Sequence, residues 1–139
     1  MNTVMTANPP LSPAAQALLD HIRANDWVTY AEIEDVLAPY ITVEGDGGLV
    51  LPDFQNMVLW QGVSRAFAET VNEVLGTHLV CREPVRILLY LTDGKYLTLP
   101  LAKRLYDYAT PHWLPVCFRP LERCEVQVLG SKTPRRRRK

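Results

Sequence analysis

The stretch RILLYLTDGKYLTL, Arg86–Leu99, decides the fold. Two apolar runs flank Asp93-Gly94, and Asp-Gly is the favoured pair at the centre of a two-residue hairpin turn, where positive φ is demanded. The reading is a β-hairpin whose arms are HLVCREPVRILLYL, 78–91, and YLTLPLA, 96–102, with Leu91 opposite Tyr96. Leu88, Tyr90, Leu97 and Leu99 then share one face, and Val85, Ile87, Leu89, Leu91, Tyr96 and Thr98 share the other. Both faces are apolar, so each needs a cover. Trp113, Leu114, Val116 and Phe118 downstream are one candidate, and a second copy of the chain in a symmetric homodimer is the other.

Upstream of the hairpin the apolar period is helical. In LSPAAQALLDHIRAND, Ser12 is an N-cap and Pro13 the first helical residue. Ala15, Leu18, Leu19 and Ile22 make one stripe of a helix over about 13–24. Thr29 and Glu32 form a capping box that starts a second helix over about 30–38, ended by Pro39, and Val28-Thr29 is available as a short strand. Residues 41–52 predict a small hairpin or a pair of edge strands around the loop Gly45–Gly48; that loop lacks the following helix of a phosphate cradle. From Asp53 the pattern predicts a third helix, broken at Gly62 and strongest over about 63–75, with Gly76 as a left-handed cap. After the hairpin come a short helix with Leu101, Leu105 and Tyr108, an aromatic, proline-rich extended segment, and a terminal strand in CEVQVL.

Charge is distributed unevenly. Of fifteen basic residues, six lie in the last nine positions: Lys132, Arg135, Arg136, Arg137, Arg138 and Lys139. The rest of the chain carries nine cations against all fifteen carboxylates, so an acidic body bears a basic tail. A chain of 139 residues, 47% hydrophobic, predicts one domain over 12–129, with a disordered lead at 1–11 and a disordered tail at 130–139. No apolar run approaches the length of a membrane span, and the expectation is a cytoplasmic protein without membrane contact. Cys81, Cys117 and Cys124 are odd in number with no CxxC pair, which predicts reduced thiols. His112, Cys117 and Cys124 match no common zinc spacing, and no nucleophile with an orienting partner is legible, so neither a metal, a cofactor nor an enzyme is expected.

The order helix, strand, helix, helix, hairpin resembles the winged helix-turn-helix superfamily, on VTYAEIEDVL, GVSRAFAETVNEVLGTHLV and RILLYLTDGKYLTL. The resemblance implies an α+β, winged-helix-like fold: three helices followed by a β-hairpin, with a short helix and an extended C-terminal segment packed on the hairpin. It also implies a third helix lying in the DNA major groove and a wing tip on the adjacent backbone. Carried onto this chain, Gln61, Ser64 and Arg65 start the reading helix, and Lys95 sits at the wing tip. The tail cations add phosphate contacts, since planar guanidinium groups pair well with phosphate oxygens. The leading expectation is therefore a small DNA-binding protein such as a transcriptional regulator. The alternative is a winged-helix interaction module whose acidic body binds a basic protein partner. Two plainer readings stand beside these: a solvated tail that folds back on its own acidic body, and Trp60, Phe67, Trp113 and Phe118 as core residues rather than a base-stacking platform.

Overall fold

Each of the three expected helices begins where a hydroxyl can accept an orphan backbone N–H. In the computed structural model, which describes residues 10–125, α1 spans Pro13–Asn25 and Ser12 Oγ accepts from Ala15 N at 3.1 Å. Strand β1, Val28–Thr29, leads directly into α2, Tyr30–Leu37, where Thr29 Oγ1 accepts from Glu32 N at 3.1 Å. Glu32 does not close the capping box; its carboxylate meets the His21 ring nitrogen at 2.5 Å. Ser64 caps α3, Arg65–Leu75, by accepting from Phe67 N at 3.0 Å. Gly76 keeps a right-handed conformation, so the expected left-handed cap there is wrong; His78 has the positive φ instead.

The expected helix between Asp53 and Gly62 is replaced by a hairpin. Strands β2, Glu44–Val50, and β3, Met57–Val63, pair antiparallel around the turn at 51–56. Met57 to Trp60 are buried in succession, so the run MVLWQGV shows no period-two alternation and spacing alone does not separate strand from helix there. Gly45 to Gly48 lie within β2 rather than in a loop. A Cβ on Gly45 would stand 2.6 Å from the Ser64 Cα, so glycine lets β2 pass against the start of α3.

Residues 85–99 hold the main correction. They contain α4, Ile87–Asp93, and Gly94 closes it at φ 80°, ψ 10°. The positive φ read from Asp93-Gly94 is present, but it serves a left-handed helix cap instead of a hairpin turn. Tyr90 points into the core while Leu88 and Leu91 face solvent, the arrangement of one helical turn. Residues around Leu101–Tyr108 form an irregular loop in place of the expected short helix. Strand β5, His112–Trp113, then joins β3 in parallel.

The second sheet forms from distant segments. Strands β4, Val80–Pro84, and β6, Val116–Pro120, are antiparallel, and β1 adds to the other side of β6, giving the order β1-β6-β4. Of the expected terminal strand CEVQVL, Cys124 and Glu125 belong to no strand, and the remainder lies outside the described residues. A 3-10 turn at Leu121–Arg123 returns the chain onto β4, where Cys124 and Cys81 form a disulfide with Cα atoms 6.5 Å apart. The expectation of three reduced thiols thus fails for two of them; Cys117 is free and buried. The described residues make an α+β fold with four α-helices and two three-stranded sheets.

One aromatic cluster joins the layers. Trp60 stacks on Tyr30 at 6.1 Å and contacts Tyr90 at 5.4 Å; Tyr90 meets Trp113 edge-on at 5.0 Å, and Tyr30 meets Phe118 at 5.1 Å. All are fully buried, as is Phe67, so these rings are core as their aliphatic flanks imply. Tyr90 Oη accepts from Tyr30 N at 3.1 Å and donates to Val116 O at 2.6 Å, tying α4 to α2 and β6.

Candidate nucleic-acid interface

The residues expected to read DNA are not gathered on one helix. Gln61 is exposed on β3, before α3 begins. The Ser64 hydroxyl is occupied twice, accepting from Phe67 N and donating to Thr42 O at 2.6 Å. Arg65 is 90% exposed and pairs with Glu69 one turn on, Nε to Oε2 at 3.1 Å. Beside them a groove of about 490 Å³ between α3 and the start of α1 is lined by Ser12, Tyr40, Glu69 and Glu73. Glu73 accepts from the Ser12 backbone N–H at 2.7 Å and its hydroxyl at 2.9 Å. Two carboxylates on this face oppose phosphate, because a phosphate contact needs a cation.

Lys95 is not at a wing tip. It follows the Gly94 cap and its Nζ pairs with Glu34, whose other oxygen accepts from Trp60 Nε1 at 2.7 Å. The lysine therefore compensates a carboxylate buried beside the aromatic core. Lys132, Arg135, Arg136, Arg137, Arg138 and Lys139 lie outside the described residues.

The most concentrated buried electrostatics centre on Arg119 of β6. Its guanidinium bonds Asp26 at 2.9 Å and 3.2 Å and Glu83 at 3.1 Å, and stacks 3.8 Å above the Trp27 ring. Asp26 and Trp27 reach it from a turn in which both have positive φ, at 56° and 50°. Burial alone raises the Asp26 carboxyl, but hydrogen bonds from Arg119, the Trp27 N–H and Arg123 outweigh it and hold Asp26 below the usual range. Burial, reinforced by Glu83, pushes the Cys117 thiol up to about 12, so it is protonated at neutral pH. Glu83 also lies within 4.8 Å of the Cys81 and Cys124 sulfurs, but those sulfurs are bonded to each other. This network is structural: its charges are matched internally.

Outside it, charge separates by region. Between β4 and β6, residues 85–115 carry four cations, Arg86, Lys95, Lys103 and Arg104, against Asp93 and Asp107. The other described residues carry five cations against thirteen carboxylates. Both carboxylates of the insert are engaged by its neighbours: Asp93 accepts from Thr29 Oγ1 at 2.6 Å, and Asp107 from Gln55 N at 2.9 Å. Arg86, Lys103 and Arg104 are exposed and have no ion-pair partner among the described residues. No protein-family model, curated protein or solved structure matches the chain. Lys103 and Arg104 escape the sequence reading because the helix expected over Leu101, Leu105 and Tyr108 absorbs KRLYDY, whose interleaving of cations and aromatics is the available signal, and Arg86 escapes it as part of the expected hairpin.

Proposed function

We propose that the protein is a small, winged-helix-like DNA-binding protein that grips phosphate with the insert at 85–115 and the basic terminus, and not with α3. Charge partition carries the reading: the insert has three exposed cations without a carboxylate partner among the described residues, on an otherwise acidic body. Topology supports it. Three helices with a short strand after the first, and a sheet ordered β1-β6-β4, resemble the winged-helix plan, and the insert then occupies the wing position between β4 and β6, the last two strands of that sheet. A wing lies against the DNA backbone in that superfamily, which is where unpaired cations act without reading sequence. Arg65, already bound to Glu69, adds little to this.

The test is the salt dependence of duplex binding. Replacing Arg86, Lys103 and Arg104 together with alanine should reduce the slope of log K against log salt by up to about 0.9 per lost contact. An unchanged slope would remove the insert from the interface. The second reading, an interaction module for a basic protein, is favoured by the thirteen carboxylates of the remaining body. It predicts that polylysine binds the chain and that neutralising Glu69 weakens this, with duplex affinity negligible throughout.

A further inference from the structure

The loop from Leu101 to Pro111 has almost no regular structure, yet it is tied down on both sides of Tyr106. Tyr108 Oη accepts from Lys103 N at 3.2 Å and donates to Arg104 O at 3.3 Å, closing the loop on itself. Tyr108 N donates to Gln55 O at 3.2 Å, and Asn56 Nδ2 to Tyr108 O at 3.0 Å, fixing it to the β2–β3 turn. The result is a stack at the surface. Tyr108 lies parallel to His112 at 3.9 Å, Tyr106 meets Tyr108 edge-on at 5.2 Å, and the Arg104 guanidinium sits 4.2 Å from the centre of the Tyr106 ring. His112 Nδ1 donates to Thr110 O at 2.8 Å, which sets its ring plane.

This stack is separate from the buried cluster of Tyr30, Trp60, Tyr90 and Trp113: Tyr106 is 44% exposed, and Lys103 and Arg104 are exposed beside it. Rings fixed at the surface offer π-faces at little further cost in side-chain freedom. Cations alternating with rings are the composition that binds single strands, where bases stack and phosphates pair with the cations between them. An acidic peptide would satisfy Lys103 and Arg104 but leave the rings without a matching partner.

The geometry points to Arg104, Tyr106, Tyr108 and His112 as a stacking platform for unpaired bases of single-stranded nucleic acid, with Lys103 and Arg104 on the phosphates. This rests on the nucleic-acid reading above and adds a preference for unpaired over duplex strands at this loop. No covalent step is involved.

The experiment uses the full chain and fluorescence anisotropy of a labelled oligothymidylate of about twelve nucleotides, beside a duplex of equal length. Tyr106→Ala should weaken oligothymidylate binding by about tenfold and leave duplex binding within about twofold, while Tyr106→Phe, which keeps the ring, should retain both. Tyr106 is exposed, so an unchanged melting temperature is expected and identifies each variant as folded. Equal affinity of Tyr106→Ala and the unaltered chain for oligothymidylate, with duplex binding intact, overturns the platform and spares the nucleic-acid reading. Failure of the unaltered chain to bind either strand form overturns both. Equal competition by polyglutamate and oligothymidylate also overturns the platform, since it makes the surface a simple cation patch.

Discussion

Helices α1, α2 and α3 each start at a hydroxyl that accepts the backbone N–H three residues on, whereas α4 starts at Arg86 with no side-chain cap. The first three bury stripes of apolar residues at helical spacing. Helix α4 buries one residue, Tyr90, and exposes Leu88 and Leu91. It is fixed by bonds to distant partners: Tyr90 to Tyr30 and Val116, Asp93 to Thr29, and Lys95 just beyond it to Glu34. One region is organised by its own periodicity, the other by anchors supplied from elsewhere. The difference teaches that an element of seven residues is defined by its anchors, since so short a helix is not stable alone.

The anchors can be cut one at a time. Tyr90→Ala removes a ring from the centre of the aromatic cluster and should cost about 3–5 kcal/mol in chemical denaturation. A loss under about 1 kcal/mol would mean that the insert is not integral to the core. Tyr90→Phe keeps the ring but strands Tyr30 N–H and Val116 C=O, with an expected cost of about 1–3 kcal/mol. Gly94→Val forces a β-branched residue into φ 80° and should cost about 1–3 kcal/mol. That loss identifies the positive φ without distinguishing cap from turn; hydrogen exchange at Leu91 to Gly94 does, because the Gly94 N–H donates to Leu91 O.

The helical half has its own sensitive point in Asp26. Its folded pKa lies below the unfolded value of about 3.9, so the unfolded state binds more protons in the interval between them. Its contribution to stability is complete above that unfolded value and disappears as pH falls through the folded one. Melting temperature followed from about pH 6 to about pH 2 should therefore fall more steeply for the unaltered chain than for Asp26→Asn. Equal slopes would show that Asp26 is not held by Arg119 in solution. The smallest effect belongs to Arg65→Ala: an exposed pair one helical turn apart contributes about 0.3–0.5 kcal/mol, and the melting curve should barely move.

Legibility followed the same division. Ser12 and Thr29 declare helix starts locally, and Leu18, Ile22, Phe67 and Val71 repeat at helical spacing, so α1, α2 and the body of α3 were readable, but the cap at Ser64 was not. The short strand at Val28-Thr29 was readable as well. Met57–Val63 and Ile87–Asp93 were not: both are short, apolar and buried or anchored from several sides, so neither period two nor period 3.6 stands out. Asp93-Gly94 advertised a positive φ without saying which structure would use it. Of the expected contact residues, Ser64 and Lys95 proved to be structural, since nothing in local sequence announces Thr42 O or Glu34 as partners. The cations of KRLYDY were visible but assigned to the wrong element.

The bond between Cys81 and Cys124 closes a ring of chain around the entire insert, across a sequence separation of 43. In chain-entropy terms such a ring removes about 4 kcal/mol of freedom from the unfolded state. It also makes the insert topologically captive. A protease that cuts once anywhere between 82 and 123 severs the backbone without parting the molecule, because both fragments remain joined through sulfur. A nicked chain should therefore migrate as one band without reductant and as two with it.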